Sequence, residues 1–159
     1  MMLQFGYLNR QMVTSQAVFL EQLDAFAGKL PSGFEWAVES RNPSHLNAEH
    51  FDLLRERNLA HVFQQGYYMP PACETYKQHV DRLADRIVVR LHGPDREGME
   101  ARTGNDWSKI VEPRDADLNS LAGMLKDVLV RKRTAIVYAN NHFEGYAPLT
   151  VERLKARLG

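Results

Sequence analysis

Apolar positions recur along the chain with two periods, and the periods alternate. "LQFGY" opens as a short strand, and Phe19, Leu23, Phe26 and Leu30 follow at the spacing of one buried helix face. Pro31 to Gly33 end that helix. "FEWAVESR" then predicts a strand from Phe34 to Ser40, and "NPSHLN" turns the chain. Asn47 is placed to cap a helix carrying Phe51, Leu54 and Asn58. "AHVFQQ" makes a third strand. Pro70 and Pro71 lead into a weaker helix ending near Leu83, and "RIVVRLHG" is the fourth strand. A long loop is expected from Gly93 to Arg114. Leu118, Leu121, Ala122, Leu125 and Leu129 then mark a strong helix, with Asp115 and Asp117 at its start and Arg131 to Arg133 at its end, the signs its dipole favours. "TAIVYAN" is the fifth strand, and "APLTVERLKARL" closes as a helix with Pro148 in its first turn.

Strand followed by helix, five times, predicts parallel pairing and an α/β class. With no internal repeat and no linker, a single domain over residues 1–159 is expected. An open doubly wound sheet and part of a (β/α)8 barrel both fit. Length favours the open sheet, because a complete barrel needs roughly 250 residues. "GYLNRQ" after the first strand is not a glycine-rich phosphate fingerprint, which removes the usual dinucleotide reading.

Alternation within the strands pulls toward the barrel. Val88, Arg90 and His92 share one face of their strand; Ala37, Glu39 and Arg41 share another; Ile136, Tyr138, Asn140 and His142 align on a third. Each strand thus pairs an apolar face, suited to covering helices, with a face that turns polar toward its C-terminal end. A barrel points those second faces inward and gathers their ends at its mouth, where such folds place their sites.

Three segments, "AVESRNPSHL", "VVRLHGPDREGMEARTGNDWSKIV" and "YANNHFEGYAPLTVERL", resemble the Domain of Unknown Function 72 (YecE-like) family. The resemblance covers most of the chain and implies a TIM-type barrel. The family is longer, and "LQFGYLNR" resembles a segment from its middle. The expectation is a C-terminal portion of about five βα units, truncated or split. No reaction is implied, since the family's name records that none is established.

Composition narrows the function without choosing it. Hydrophobic residues at 44% and charged residues at 25% are ordinary for a soluble domain. Zero formal net charge supplies no global field toward nucleic acid or membrane. One cysteine, Cys73, excludes an internal disulfide and suits a reducing compartment; it has no base beside it and reads as structural. No signal peptide or membrane-length apolar run is visible, so a cytoplasmic location is expected.

The candidate chemistry lies at the strand ends. Glu39, His92 and His142 are the candidate acid/base groups, and the same three make a weak His/His/carboxylate metal set without supporting spacing. No metal and no cofactor is assigned. Arg41, Arg90, Arg96, Asn140 and Asn141 are the candidate ligand contacts. The structural alternatives are a Glu39–Arg90 ion pair, asparagines that tie down the last turn, Arg96 and Arg102 paired with neighbouring acids, and Trp107 pinning its loop. Three readings follow. One is an enzyme, a hydrolase or isomerase of a small polar or anionic ligand. Another is a nucleic-acid-binding or -processing protein, disfavoured by the charge. The last is a truncated fragment without independent activity, its site incomplete and its open sheet edges prone to self-association or to cover by a partner chain.

Overall fold

The computed structural model describes residues 1–159. Five strands, β1 (Met2–Phe5), β2 (Ala37–Ser40), β3 (Ala60–Gly66), β4 (Arg86–Gly93) and β5 (Thr134–Ala139), form one parallel sheet in the order β1-β2-β3-β4-β5. Helices α1 (Gln16–Ala27), α2 (Ala48–Glu56), α3 (Ala72–His79), α4 (Arg96–Thr103), α5 (Asp115–Val130), α6 (Asn141–Glu144) and α7 (Ala147–Leu158) fill the connections. The α/β class and parallel pairing are as expected. The sheet does not close on itself, so β1 and β5 are edges.

Period-2 patterning decides which face each residue takes. Phe63, Ile87, Val89 and Leu91 pack outward against Leu118, Leu121, Leu125 and Val128 of α5 and Leu154 of α7. A second outward cluster joins Val38 to Phe19, Leu23 and Leu54. Ala37, Ala60, Val62 and Val88 pack on the inner face, with no helix over them. No helix is long and apolar enough to cross a membrane.

The expected cap and first-turn proline are present. Asn47 accepts the His50 amide at 3.2 Å, and Pro148 sits in the first turn of α7. Several expectations need correction. β2 starts at Ala37 rather than Phe34, because its ladder with β1 begins only at the Met2–Ala37 pair. Phe26 of α1 is 49% exposed rather than buried, since beyond the edge strand nothing covers it; Leu129 of α5 is exposed as well. Leu30 lies past the end of α1, and Asn58 lies past the end of α2 at a positive φ of 52°. The stretch after Gly93 is not structureless, for it contains α4. Asp95 caps α4 by accepting the Gly98 amide at 2.9 Å, and Gly104 ends it in a left-handed conformation.

Candidate functional site

The strand ends build a polar surface, and glycine makes its tightest part. At the end of β3, Gln65 pairs with Leu91 but Gly66 pairs with Gly93, so His92 is an extra residue on β4, a β-bulge. Gly66 and Gly93 both have positive φ, +128° and +80°. A Cβ on Gly66 would lie 2.3 Å from the Gly93 carbonyl oxygen, and one on Gly93 would lie 2.3 Å from the His142 carbonyl oxygen. Only glycine allows the ends of β3, β4 and α6 to stack so closely.

Glu39 is fully buried and pairs with two guanidinium groups, Arg41 Nε at 3.0 Å and Arg90 Nη1. The Glu39–Arg90 ion pair is therefore present, and its charges compensate each other away from water. Arg41 also stands over the Tyr67 ring, 5.4 Å from its centroid. Tyr67, at a positive φ of 53°, lies against the His92 ring at a centroid distance of 5.0 Å.

His92 differs from every other group in this surface. It is 4% exposed, and neither ring nitrogen has a hydrogen-bond partner. Burial first, and then the Arg90 charge, lower its pKa to about 4, while Glu39 opposes them. At neutral pH it is an uncharged imidazole offering one donor and one acceptor. A buried polar group without a partner costs free energy, so an unfilled donor and acceptor here call for an explanation.

His142 is held on both sides. Its Nδ1 meets Asn140 Oδ1 at 2.7 Å, and its Nε2 meets Glu100 Oε1 at 3.0 Å. Trp107 sits edge-on to its ring at 5.0 Å and so pins the segment after α4 to the strand ends. Arg96 donates to Glu100 at 2.9 Å, and Arg102 pairs with Asp95 and Glu112. Asn140 caps α6 through the His142 amide at 3.0 Å, and Asn141 accepts the Ala147 amide at 2.8 Å. Glu144, fully buried, accepts from the Arg114 amide at 2.7 Å and pairs with Arg153 at 3.2 Å. The polar run after β5 thus mainly ties α4, α5 and α7 to the sheet.

The predicted residues divide accordingly. Glu39, Arg41, Arg90 and His92 come together around Tyr67. His142, Asn140 and Arg96 form a second chain through Glu100, and Asn141 serves the turn into α7. No three His, Cys, Asp or Glu side chains are arranged to hold a metal ion. Burial raises the Cys73 thiol above its ordinary pKa, which disfavours the nucleophilic thiolate. Tyr67 is the residue that sequence reasoning missed. Its one signal is an aromatic following a glycine at a strand end.

These features define an α/β protein with a polar surface at the C-terminal ends of its parallel strands. The chain belongs to the family described as "Protein of unknown function DUF72", which it matches over residues 2–159. It is similar in structure to a DUF72 family protein from Thermotoga maritima, with 19% sequence identity and a TM-score of 0.64. A DUF72 family protein from Enterococcus faecalis is similar at 14% identity and a TM-score of 0.62. Each alignment covers 99% of this chain and 57% of the other, so this chain spans little more than half the length of those two proteins. At such identities the likeness speaks for the fold alone. No curated protein matches the chain.

Proposed function

We propose that the C-terminal ends of β2, β3 and β4 bind a small polar molecule, with His92 as the central contact and Arg41 and Tyr67 beside it. The supporting observation is the buried His92 ring with both nitrogens unpartnered, at a bulge. A ligand with a hydroxyl and a carbonyl or phosphoryl oxygen would complete both bonds. Any acid/base step, hydrolysis or isomerisation, runs through His92 rather than its neighbours. Glu39 is engaged by two arginines and His142 by Asn140 and Glu100. Arg90 and Glu39 then position the site by fixing its floor, and Arg96, Asn140 and Asn141 support its rim.

The same reading takes the five βα units as part of a TIM-type barrel wall. Consecutive strand order, uniform parallel pairing and an inner face of small apolar residues support it. A cytoplasmic setting agrees with a single, free cysteine.

The test is a thermal-shift panel of sugars, sugar phosphates and hydroxy acids, followed by calorimetry on any hit. His92→Gln should weaken the hit at least tenfold while the variant still unfolds cooperatively in urea. A hit that binds both proteins equally would remove His92 from the site, and with it the proposal.

A further inference from the structure

A polar cavity of about 420 Å³ lies at the ends of β1 and β2, outside the His92 cluster. Arg10, Thr14, Ser15, Gln16, Ser44 and His45 line it, and no carboxylate does. The N-terminus of the twelve-residue α1 opens there. Ser15 Oγ accepts the Val18 amide at 3.3 Å, which leaves the Gln16 and Ala17 amides with no protein acceptor. No acidic residue occupies the first turn of α1 to answer its dipole.

Two further observations point to a ligand. Alone among the arginines, Arg10 makes neither an ion pair nor a hydrogen bond, although it stands at the cavity. His45 is 7% exposed and stacks on Phe19 at 5.3 Å, and its Nδ1 has no partner. The walls around these groups are fixed. Asn42 donates to the Leu8 carbonyl at 2.9 Å and accepts the Leu8 amide at 2.8 Å. Gln16 exchanges hydrogen bonds with Asn47 at 2.7 and 3.0 Å and donates to the His45 carbonyl at 3.2 Å.

We propose that this cavity is a phosphate subsite, holding the phosphate of a small phosphomonoester between the free amides of α1, Arg10, His45 and the Thr14 and Ser44 hydroxyls. Helix amides, hydroxyls and one guanidinium are the donor set that a tetrahedral dianion saturates and a neutral ligand does not. At the rim, Tyr7 and Tyr68 meet edge to face at 6.3 Å, each 59% exposed, and offer ring surface to the sugar that carries the phosphate. This subsite does not rest on the role given to His92.

The experiment titrates the isotope-labelled 159-residue chain with inorganic phosphate at constant ionic strength, using chloride as the balancing salt. The Gln16 and Ala17 amide resonances should shift and saturate. Arg10→Ala should weaken binding at least tenfold while leaving the fold unchanged, because Arg10 has no ion pair or hydrogen bond to lose. His92→Gln should keep the affinity within twofold. Ribose 5-phosphate should bind more tightly than inorganic phosphate, and ribose alone should leave Gln16 and Ala17 unmoved. Absence of saturation at those amides, or equal affinity in Arg10→Ala, overturns the proposal. Phosphate binding that is lost in His92→Gln but kept in Arg10→Ala would also overturn it, and would place the anion at the β3–β4 bulge instead.

Discussion

Two residues in the same motif, "RLHG", have opposite constraints on them. His92 has unused hydrogen-bonding capacity, whereas Gly93 has no spare space at all. Gly93→Ala puts a methyl group against the His142 backbone at a φ of +80°, and neither partner is a flexible side chain. The expected cost is about 2–4 kcal/mol, from backbone strain plus a forced shift of α6. Gly123→Ala is the matched control. Gly123 lies inside α5 with nothing within 4 Å of an added Cβ, so that change should stabilise by about 0.5–1 kcal/mol. Urea midpoints of the two variants, moving in opposite directions, would check both statements. Equal midpoints would mean that the strand-end stacking is looser than the geometry shows.

At the scale of elements, the outer layer contains a histidine cluster that the strand-end chemistry does not use. His50 of α2 lies 3.2 Å from His61 of β3, and Phe51 packs against His61 at 4.8 Å and against His79 of α3 at 4.4 Å. Burial lowers His50 to about 4 and His61 well below the ordinary histidine value; His45 and His79 are lowered too, again by burial first. In the unfolded chain each of these rings takes up a proton near pH 6.5, but in the folded protein only at lower pH, for His50 near pH 4. The unfolded state therefore binds more protons between those values. Stability is complete above pH 6.5 and falls as the pH drops toward 4. His50 alone contributes about 3 kcal/mol across that window. Unfolding free energy measured by urea from pH 7 to pH 5, above most carboxylate titration, should fall steadily. His50→Gln should reduce the slope by about one proton. A flat profile would show that the cluster is solvated in solution.

Across the whole molecule, the sheet leaves two edges and one face without a cover. Ile136 and Tyr138 on β5 are 38% and 57% exposed, and with Ala37, Ala60, Val88 and Arg90 they line a groove of about 310 Å³ on the inner face. Unpaired parallel edges beside exposed apolar side chains favour association. Sedimentation at rising concentration should show self-association, and the urea midpoint should rise with it. Ile136→Lys, which puts a charge on the inner face, should shift the equilibrium toward monomer. A wild-type chain that stays monomeric throughout would mean that this face is stable in water.

Much of this architecture was legible before any coordinates. Five strands, their faces, the cap at Asn47 and the first-turn place of Pro148 follow from residue periodicity and local backbone chemistry, which act within a few positions of the chain. Helix α4 was not legible, although Asp95 and Gly104 are proper caps. Met99 is its only fully buried apolar side chain, so no hydrophobic period marks it. The residues of the candidate site were visible as types, but their states were not. His92 and His142 both read as histidines near strand ends; one is buried without a partner, and the other is held between Asn140 and Glu100. That difference depends on a one-residue bulge between β3 and β4 and on a helix 42 positions away from His142. The same holds for Arg10, whose lack of any partner becomes meaningful only once other arginines have found theirs. Sequence by itself determined the alternation of elements and the side of the sheet each residue faces, because those are short-range consequences of chain geometry. Tertiary structure decided which polar groups are satisfied and which are left open, because a hydrogen-bond partner can come from any part of the chain.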